Sequence, residues 1–413
     1  MAATAATLIA STIAIAIAVA PSATADSSSD QCTFPNKKYA GRPWSLQRVQ
    51  LDELWSQSKG RGVRVAVIDT GVDVKNSQLA HAVDASRGAN YLPRGLKDDN
   101  GDRVSRGRSD GTTDTVGHGT RVAGIIAARP VKGTGFVGLA PEATVIPIKQ
   151  NDAEGHGTAE TLATAILHAV DTGADVINIS QDTSNAAKPD PALERAVDKA
   201  LARNIVVVAS AGNDGLGGNF KKTYPASYDG VLSVAASDRN NERASFSQSD
   251  ESVDVAAPGV DMISTVPKGG NCSDNGTSFS APYVAGVAAL LKAKHPGWTA
   301  REVVAQIEQT AERSIAGHDP RVGWGVVDPV RALTEDDHPI ESPNPQEGLT
   351  KAQAPTPAKF QLGETADERN ARLATYAAVG AAVLVAGLGG VGVAVRDARR
   401  RSRSRSRRVS AGQ

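Results

Sequence analysis

The chain has 413 residues, of which 40% are hydrophobic and 22% charged, a balance that excludes an intrinsically disordered protein and allows one large domain with appendages. The formal net charge is +0, yet eight arginines lie between residues 396 and 408, so the remainder of the chain is acidic. The basic residues at that end suit contact with acidic lipid or RNA, and acidic lipid is the favoured partner. The rest of the chain has no basic surface that suggests nucleic-acid binding, so no nucleic-acid partner is expected.

The chain begins with the features of an export signal. Residues 1–25 carry no charge and contain an apolar run from Leu8 to Ala20, followed by small residues at positions 23 and 25. This pattern predicts a signal peptide over residues 1–25, whereas the break at Pro21 argues against a buried core helix. Residues 26–43 then form a short N-terminal extension.

Two cysteines, Cys32 and Cys272, exclude a disulfide-rich scaffold. In an exported protein they can form one disulfide bond, and two unpaired thiols are the alternative. Neither cysteine has the Cys-x-x-Cys spacing of a metal site, so metal binding by these residues is not expected.

Residues 44–333 alternate short β-rich runs with stretches of helical length. Strands are predicted at Val63–Ile68, Thr144–Ile148, Val176–Ile179, Ile205–Ala209 and Val231–Ala235. Helices are predicted at Thr158–Asp171 and Pro191–Arg203. Strands dense in valine and isoleucine that alternate with helices predict an α/β domain, with a parallel sheet covered by helices on both faces.

The C-terminal part has a different composition. Residues 334–372 are rich in proline and polar residues and are predicted to be a linker. Residues 373–395 carry no charge, and 23 helical residues span about 34 Å, enough to cross a bilayer. The arginine-rich tail at 396–413 predicts a cytoplasmic end, which places the large domain outside the cell.

Three residues in the large domain have the chemistry of a hydrolytic site. Asp69 ends a predicted strand, where the active sites of parallel sheets gather. His118 lies between two glycines that let a substrate backbone approach, and its imidazole can accept a proton near neutral pH. Ser278 opens an apolar helix, where backbone N–H groups favour negative charge. Taken singly, each residue also fits a turn or a helix cap.

The order of these motifs resembles the subtilisin-like peptidases. Asp-Thr-Gly at 69–71, Gly-His-Gly-Thr at 117–120 and Gly-Thr-Ser-x-Ser-Ala-Pro at 276–282 occur in the order of that family. The resemblance implies a subtilisin-like fold and a catalytic triad of Asp69, His118 and Ser278. In the motif Ser-Ala-Gly-Asn at 210–213, it implies that Asn213 donates a hydrogen bond to the oxyanion.

The same resemblance implies where substrate binds. Gly-His-Gly-Thr recurs at 155–158, and in the family this segment lines the cleft, so Gly155 and Gly157 are candidate substrate-binding residues. His118, rather than the histidine at 156, is assigned as the base. Ser180, Ala211 and Gly212 lie in segments that flank the specificity pocket. No complete carboxylate-rich loop is present in the sequence, so neither a metal nor another cofactor is expected.

The whole architecture resembles the mycosins, subtilisin-like proteins associated with type VII secretion. A signal peptide, a peptidase domain, a proline-rich linker, one C-terminal span and a basic tail follow one another in both. The resemblance implies an N-terminal arm tethered by Cys32 to Cys272, a protein or peptide substrate, membrane attachment, and the secretion machinery as a partner. Three functions remain: a processing protease, a mainly structural stabiliser of the secretion complex, and an anchored general degradative protease.

Overall fold

The computed structural model describes residues 32–97, 101–103, 105–152, 157–180, 189–216, 221–313, 315–346 and 366–409. Side chains are described as far as residue 401. The chain forms two compact units, residues 1–350 and 351–413, which are treated separately below. The predicted signal peptide at 1–25 lies outside the described residues.

A seven-stranded sheet organises the first unit. Its strands, in spatial order, are β2 (Ala89–Asn90), β3 (Thr144–Lys149), β1 (Arg64–Asp69), β4 (Val176–Ile179), β5 (Val206–Ser210), β6 (Leu232–Ser237) and β7 (Val255–Pro258). All neighbouring strands pair in parallel. Nearly every residue of these strands is buried, as expected for a sheet covered on both faces. An antiparallel pair, β8 (Met262–Thr265) and β9 (Asn271–Asp274), lies beyond this sheet.

Helices cover both faces of the sheet. One hydrophobic cluster joins the sheet to α3 (His118–Ala127) and the long α6 (Thr277–Lys294). A second cluster joins the opposite face to α4 (Ala159–Asp171) and α5 (Pro191–Ala202). The remaining helices of the unit are α1 (Trp44–Gln47), α2 (Leu51–Gln57), α7 (Ala300–Thr310) and α8 (Pro329–Thr334). The predicted α/β class, with helices on both faces of a parallel sheet, is confirmed.

The domain extends beyond the predicted boundary at residue 333. Asp336 is almost fully buried, and its carboxylate lies 2.9 Å from Nζ of Lys294 and 2.6 Å from Nε2 of His295. Further along, the backbone N–H of Asn344 donates to Oε1 of Gln309 at 2.6 Å. Residues 334–346 therefore pack on the domain instead of forming the start of a linker, because charged and polar side chains of the preceding helices bind them. At the other end of the predicted linker, residues 366–372 are helical.

The second unit contains α9 (Ala366–Val409). An 18-residue stretch within its first 36 residues has a mean hydropathy of 2.2, and none of that stretch is buried. Among the described residues, α9 is the one helix long and apolar enough to cross a membrane. The predicted span at 373–395 lies inside it.

The N-terminal arm, residues 32–43, is fixed to the β8–β9 hairpin. A disulfide joins Cys32 to Cys272, which lies in β9, across 240 residues of sequence. The backbone N–H of Asn36 donates to the carbonyl of Gly269 at 3.0 Å, and its side-chain amide lies 2.9 Å from Sγ of Cys272. Closing so long a loop stabilises the folded state by roughly 5 kcal/mol in the chain-entropy description.

Two buried carboxylates lie together at the amino edge of the sheet. Asp254 precedes β7, and Glu308 lies on α7 with 8% of its surface exposed. Both line a cavity of about 220 Å³ that Arg301 and Glu341 also border. Burial, reinforced by neighbouring carboxylates, raises the pKa of Asp254 to about 7 and the pKa of Glu308 to about 8.

These two groups make stability fall as pH rises. Their folded-state pKa values exceed the ordinary ones, so their contribution is complete below about pH 4 and is lost as pH rises through 7 and 8. We expect Glu308→Gln to raise the melting temperature at pH 9 by about 2–5 °C and to have little effect at pH 5. Thermal unfolding at both pH values measures this. Glu53→Gln, on the exposed side of α2, is the control, and a shift equal at both pH values would contradict the prediction.

Candidate active site

The site lies at the carboxyl edge of the central strands. Asp69 is the last residue of β1, which runs between β3 and β4, and its side chain is fully buried. One carboxylate oxygen, Oδ1, accepts the backbone N–H of Thr70 at 2.7 Å and lies 2.8 Å from Nδ1 of His118. Oδ2 is buried and has no hydrogen-bond partner in the described part of the chain. Leaving a buried carboxylate oxygen without a partner costs free energy, so Asp69 is held here at the expense of stability.

His118 is the first residue of α3, and its side chain is 24% exposed. Gly117 precedes it with φ +87°, a left-handed conformation that glycine adopts without strain. Burial lowers the pKa of the imidazole, but the charge and hydrogen bond of Asp69 outweigh this effect, so the pKa is raised overall. Because Nδ1 is engaged by Asp69, Nε2 is left to exchange a proton.

A second carboxylate, Asp114, holds the chain around His118 in place. Its oxygens accept hydrogen bonds from Oγ1 of Thr70 at 3.0 Å, from the backbone of Gly117 at 2.7 Å and from both the backbone and the hydroxyl of Thr120. Thr70 in turn accepts the backbone N–H of Gly119 at 2.9 Å. This buried network ties the loop after Asp69 to the start of α3, so the separation of Asp69 and His118 is fixed by neighbouring backbone.

Ser278 is the second residue of α6 and is half-buried, whereas most of the helix behind it is fully buried. The neighbouring Phe279 brings α6 against His118, with ring centroids 5.4 Å apart. Two residues further on, Ser280 is buried and its hydroxyl donates to the carbonyl of Pro258 at 3.2 Å. The two serines of the motif therefore differ in exposure: Ser278 is partly accessible to solvent, whereas Ser280 is buried.

The side-chain amide of Asn213 is oriented by α6. Its Oδ1 accepts hydrogen bonds from the backbone N–H and the hydroxyl of Thr277, at 2.9 and 3.0 Å. The hydroxyl of Thr277 itself accepts the backbone N–H of Gly212 at 3.2 Å. Because the oxygen of the amide is engaged, Nδ2 is the free end, and the residue is exposed. The arrangement presents an N–H donor beside the start of the helix that carries Ser278.

The predicted substrate-binding residues are placed as follows. Ser180 is buried, and its hydroxyl accepts Nδ2 of Asn178 at 2.8 Å. Ala211 and Gly212 are buried, Gly212 has φ +106°, and their backbone groups are bonded within the domain, among them the Ala211 carbonyl, which accepts the hydroxyl of Thr223 at 2.8 Å. Gly157 is buried and donates its N–H to Oδ1 of Asn151 at 2.9 Å. Gly155 lies outside the described residues.

Sequence analysis missed part of the site. Asp114 stands four residues before His118 without any motif of its own, and its role depends on contacts with the loop that begins at Thr70. Arg121 is buried in α3, forms an ion pair with Asp274 and lies over the ring of Phe279 at 5.6 Å. The contacts of Asp114 with Thr70 and of Arg121 with Asp274 and Phe279 have no local sequence signal, because they join residues distant along the chain. In the described residues, groups of three or more potential metal ligands were not found.

The parallel sheet covered by helices, with Asp69 and His118 in contact at its carboxyl edge, agrees with a subtilisin-like serine endopeptidase. The subtilase family, Peptidase S8, matches residues 60–325. Mycosin-4 of Mycobacterium tuberculosis is 37% identical over 338 residues, which cover 71% of this chain and 70% of that protein. The chain therefore belongs to the subtilase family and, within it, to the mycosin branch.

Other relatives agree with membership of the subtilase family. Subtilisin Savinase of Lederbergia lenta is 37% identical over 65% of this chain and 91% of that protein. M-protease of Shouchella clausii is also 37% identical, and the match spans 64% of its length. Among solved structures, the MycP3 protease from the type VII (ESX-3) secretion system has a TM-score of 0.61 at 34% identity, covering 73% of this chain and 90% of that one. MycP1 from Mycobacterium smegmatis also has a TM-score of 0.61, at 30% identity, covering 81% and 91%.

Proposed function

We propose that the protein hydrolyses peptide bonds with Ser278 as nucleophile, His118 as general base and acid, and Asp69 as the group that orients the imidazole. The contact of 2.8 Å between Nδ1 of His118 and Oδ1 of buried Asp69 carries the proposal. Oγ of Ser278 attacks the carbonyl carbon while its proton passes to Nε2 of His118. The carbon–nitrogen bond then breaks as Nε2 returns the proton to the leaving amine. Water repeats the sequence and releases the acid product.

Asn213 stabilises the oxyanion in this scheme. The tetrahedral intermediate places negative charge on the former carbonyl oxygen, which needs donors already aimed at it. The free Nδ2 of Asn213 and the backbone N–H of Ser278 supply two such donors. Because Thr277 holds the oxygen end of the amide, little reorganisation is needed when the charge develops.

Replacing Asn213 by alanine tests this role. We expect kcat to fall about 10²–10³-fold, with KM changed much less, because the donor acts on the transition state. Steady-state kinetics on a fluorogenic peptide measures the effect. Asn275→Ala is the matched control, since this exposed residue lies in the turn before α6 and accepts the backbone N–H of Asp261. Equal kinetics for wild type and Asn213→Ala would contradict the assignment.

For the cellular role, we propose a membrane-anchored protease that acts outside the cell and serves type VII secretion. The similarity to Mycosin-4 and to the MycP3 protease of a type VII system supports this role. The apolar helix α9 and the arginine-rich tail support an anchor at residues 373–395 with a cytoplasmic end. Partners are then the protein substrate, the membrane and the secretion machinery.

Complementation separates this role from a structural one. A strain lacking the gene is complemented with wild type, Ser278→Ala or Ser280→Ala, and secreted type VII substrates are measured by immunoblot. We expect wild type and Ser280→Ala to restore secretion and Ser278→Ala to fail at equal protein levels. Restoration by Ser278→Ala would instead identify a stabiliser of the secretion complex. Casein digestion by the purified protein distinguishes a general degradative protease from a selective one.

A further inference from the structure

The N-terminal arm carries an aromatic ring toward the active site. Phe34 lies two residues after Cys32, whose disulfide fixes this part of the arm to β9. On the other side of Phe34, the backbone N–H of Asn36 donates to Gly269, and the carbonyl of Lys37 accepts the backbone N–H of Asn271. The backbone on both sides of Phe34 is therefore held against the β8–β9 hairpin.

The ring of Phe34 rests on the glycine that precedes His118. A Cβ added to Gly117 would overlap Cζ of Phe34 and lie 2.8 Å from its Cε2. The ring thus contacts the α-carbon of Gly117 directly, one residue from the proposed base. Phe34 is only half-buried, so part of its apolar surface remains accessible beside α3.

A second ring lies on the α6 side of His118. Phe279 packs on the imidazole at a centroid distance of 5.4 Å, and its own ring is buried. Arg121 holds this group together, because its Nε donates to the carbonyl of Gly117 at 3.2 Å and its guanidinium lies 5.6 Å from the Phe279 ring. Phe279 and Arg121 are buried on this side of His118, whereas Phe34 remains partly accessible beside Gly117.

We propose that Phe34 is a specificity-determining residue that contacts a substrate side chain next to the scissile bond and favours an apolar one. The inference rests on the proposed catalytic function, because Phe34 contacts the residue directly before His118, the group that exchanges a proton with the bound peptide in that function. An accessible apolar ring discriminates between an apolar and a polar side chain through the surface it removes from water. The arm thereby forms part of the substrate cleft as well as of the stable domain.

Matched peptide pairs test the inference with the full-length protein in detergent micelles. In each pair, one fluorogenic peptide carries leucine and the other carries serine at the same position. The positions tested are the residue on each side of the scissile bond and the next residue on each side. For at least one position, we expect Phe34→Ala to reduce the leucine-to-serine ratio of kcat/KM about 5-fold or more, mainly through KM. Phe34→Leu should retain most of the preference, and kcat on the serine peptides should stay within about twofold.

Tyr39→Ala is the matched control, because Tyr39 is an aromatic residue of the same arm with 40% of its surface exposed. Its leucine-to-serine ratios should equal those of wild type. If Phe34→Ala leaves the leucine-to-serine ratio of kcat/KM unchanged at every position, the inference is overturned. A lower melting temperature or a uniform loss of kcat/KM in that variant would then show that Phe34 has a packing role. Failure of the proposed function has a different signature: wild-type cleavage that Ser278→Ala does not abolish, in which case the inference falls with it.

Discussion

Replacing Ser278 by alanine is expected to abolish peptide hydrolysis, with kcat reduced by about 10⁶-fold. In the proposed mechanism the variant loses the atom that forms the acyl-enzyme, and the residual rate comes from the oxyanion donors and substrate binding. Folding should be unaffected, because the half-buried hydroxyl of Ser278 forms no hydrogen bond with another described residue and alanine suits a helix. The assay is fluorogenic peptide cleavage by the full-length protein, combined with labelling by a fluorophosphonate that reacts with activated serines.

Ser280→Ala provides a stringent control within the same motif. It removes a hydroxyl two residues away that is buried and bonded to the carbonyl of Pro258. We expect this variant to lose about 1 kcal/mol of unfolding free energy and to keep both activity and labelling. The reverse pattern, with Ser278→Ala active and Ser280→Ala inactive, would show that the nucleophile is Ser280 and contradict the assignment to Ser278.

Replacing Asp69 by asparagine is expected to reduce kcat by about 10⁴-fold near neutral pH while the fold is preserved. The substitution is isosteric, so packing at the end of β1 is unchanged. An asparagine amide, however, donates to the imidazole, which stabilises the tautomer whose Nε2 carries the proton and cannot accept one from Ser278. The negative charge that raises the pKa of His118 is also lost, so we expect the remaining activity to depend on pH differently from that of wild type.

Asp73→Asn is the control for this experiment. Asp73 is also buried and lies four residues further along the same loop, but its carboxylate accepts the backbone N–H groups of Lys75 and Lys268. We expect Asp73→Asn to lower the melting temperature and to leave kcat within about threefold of wild type. If both variants lost activity and stability in parallel, Asp69 would have a structural role and not the proposed orienting one.

The sequence predicted the core of the fold because its central strands are short, apolar and rich in β-branched residues. The predicted strands Thr144–Ile148 and Val176–Ile179 agree with β3 and β4 to within one residue. In contrast, β7, β8 and β9 were not predicted. Their segments contain proline, serine, asparagine or aspartate, which are poor strand formers. They form strands through pairing, β7 with β6 and β8 with β9. Tertiary pairing, rather than local propensity, determines these elements.

In the candidate site, too, some parts were predictable from local sequence and others depend on contacts between distant residues. The structure brings Asp69 and His118 together, as motif order implied, and places Ser278 at the start of α6 next to a residue that packs on His118. The supporting groups were not predictable. Asp114 contacts Thr70, which lies 44 residues earlier in the sequence, and Phe34 contacts Gly117 because the disulfide and backbone hydrogen bonds hold the arm against the β8–β9 hairpin. Motifs identify groups that react, whereas contacts distant in sequence determine how those groups are held.

The disulfide between Cys32 and Cys272 also affects what happens when the chain is cut. Nearly the whole catalytic domain before Ser278 lies inside the loop that this bond closes. A peptide bond cut anywhere between the two cysteines, by another protease or by a second copy of the enzyme, leaves two fragments joined covalently. Such a nicked molecule would still present Asp69, His118 and Ser278 together and would remain attached to α9. Under oxidising conditions, therefore, a peptidase exposed to its own activity would separate into two bands only on a reducing gel.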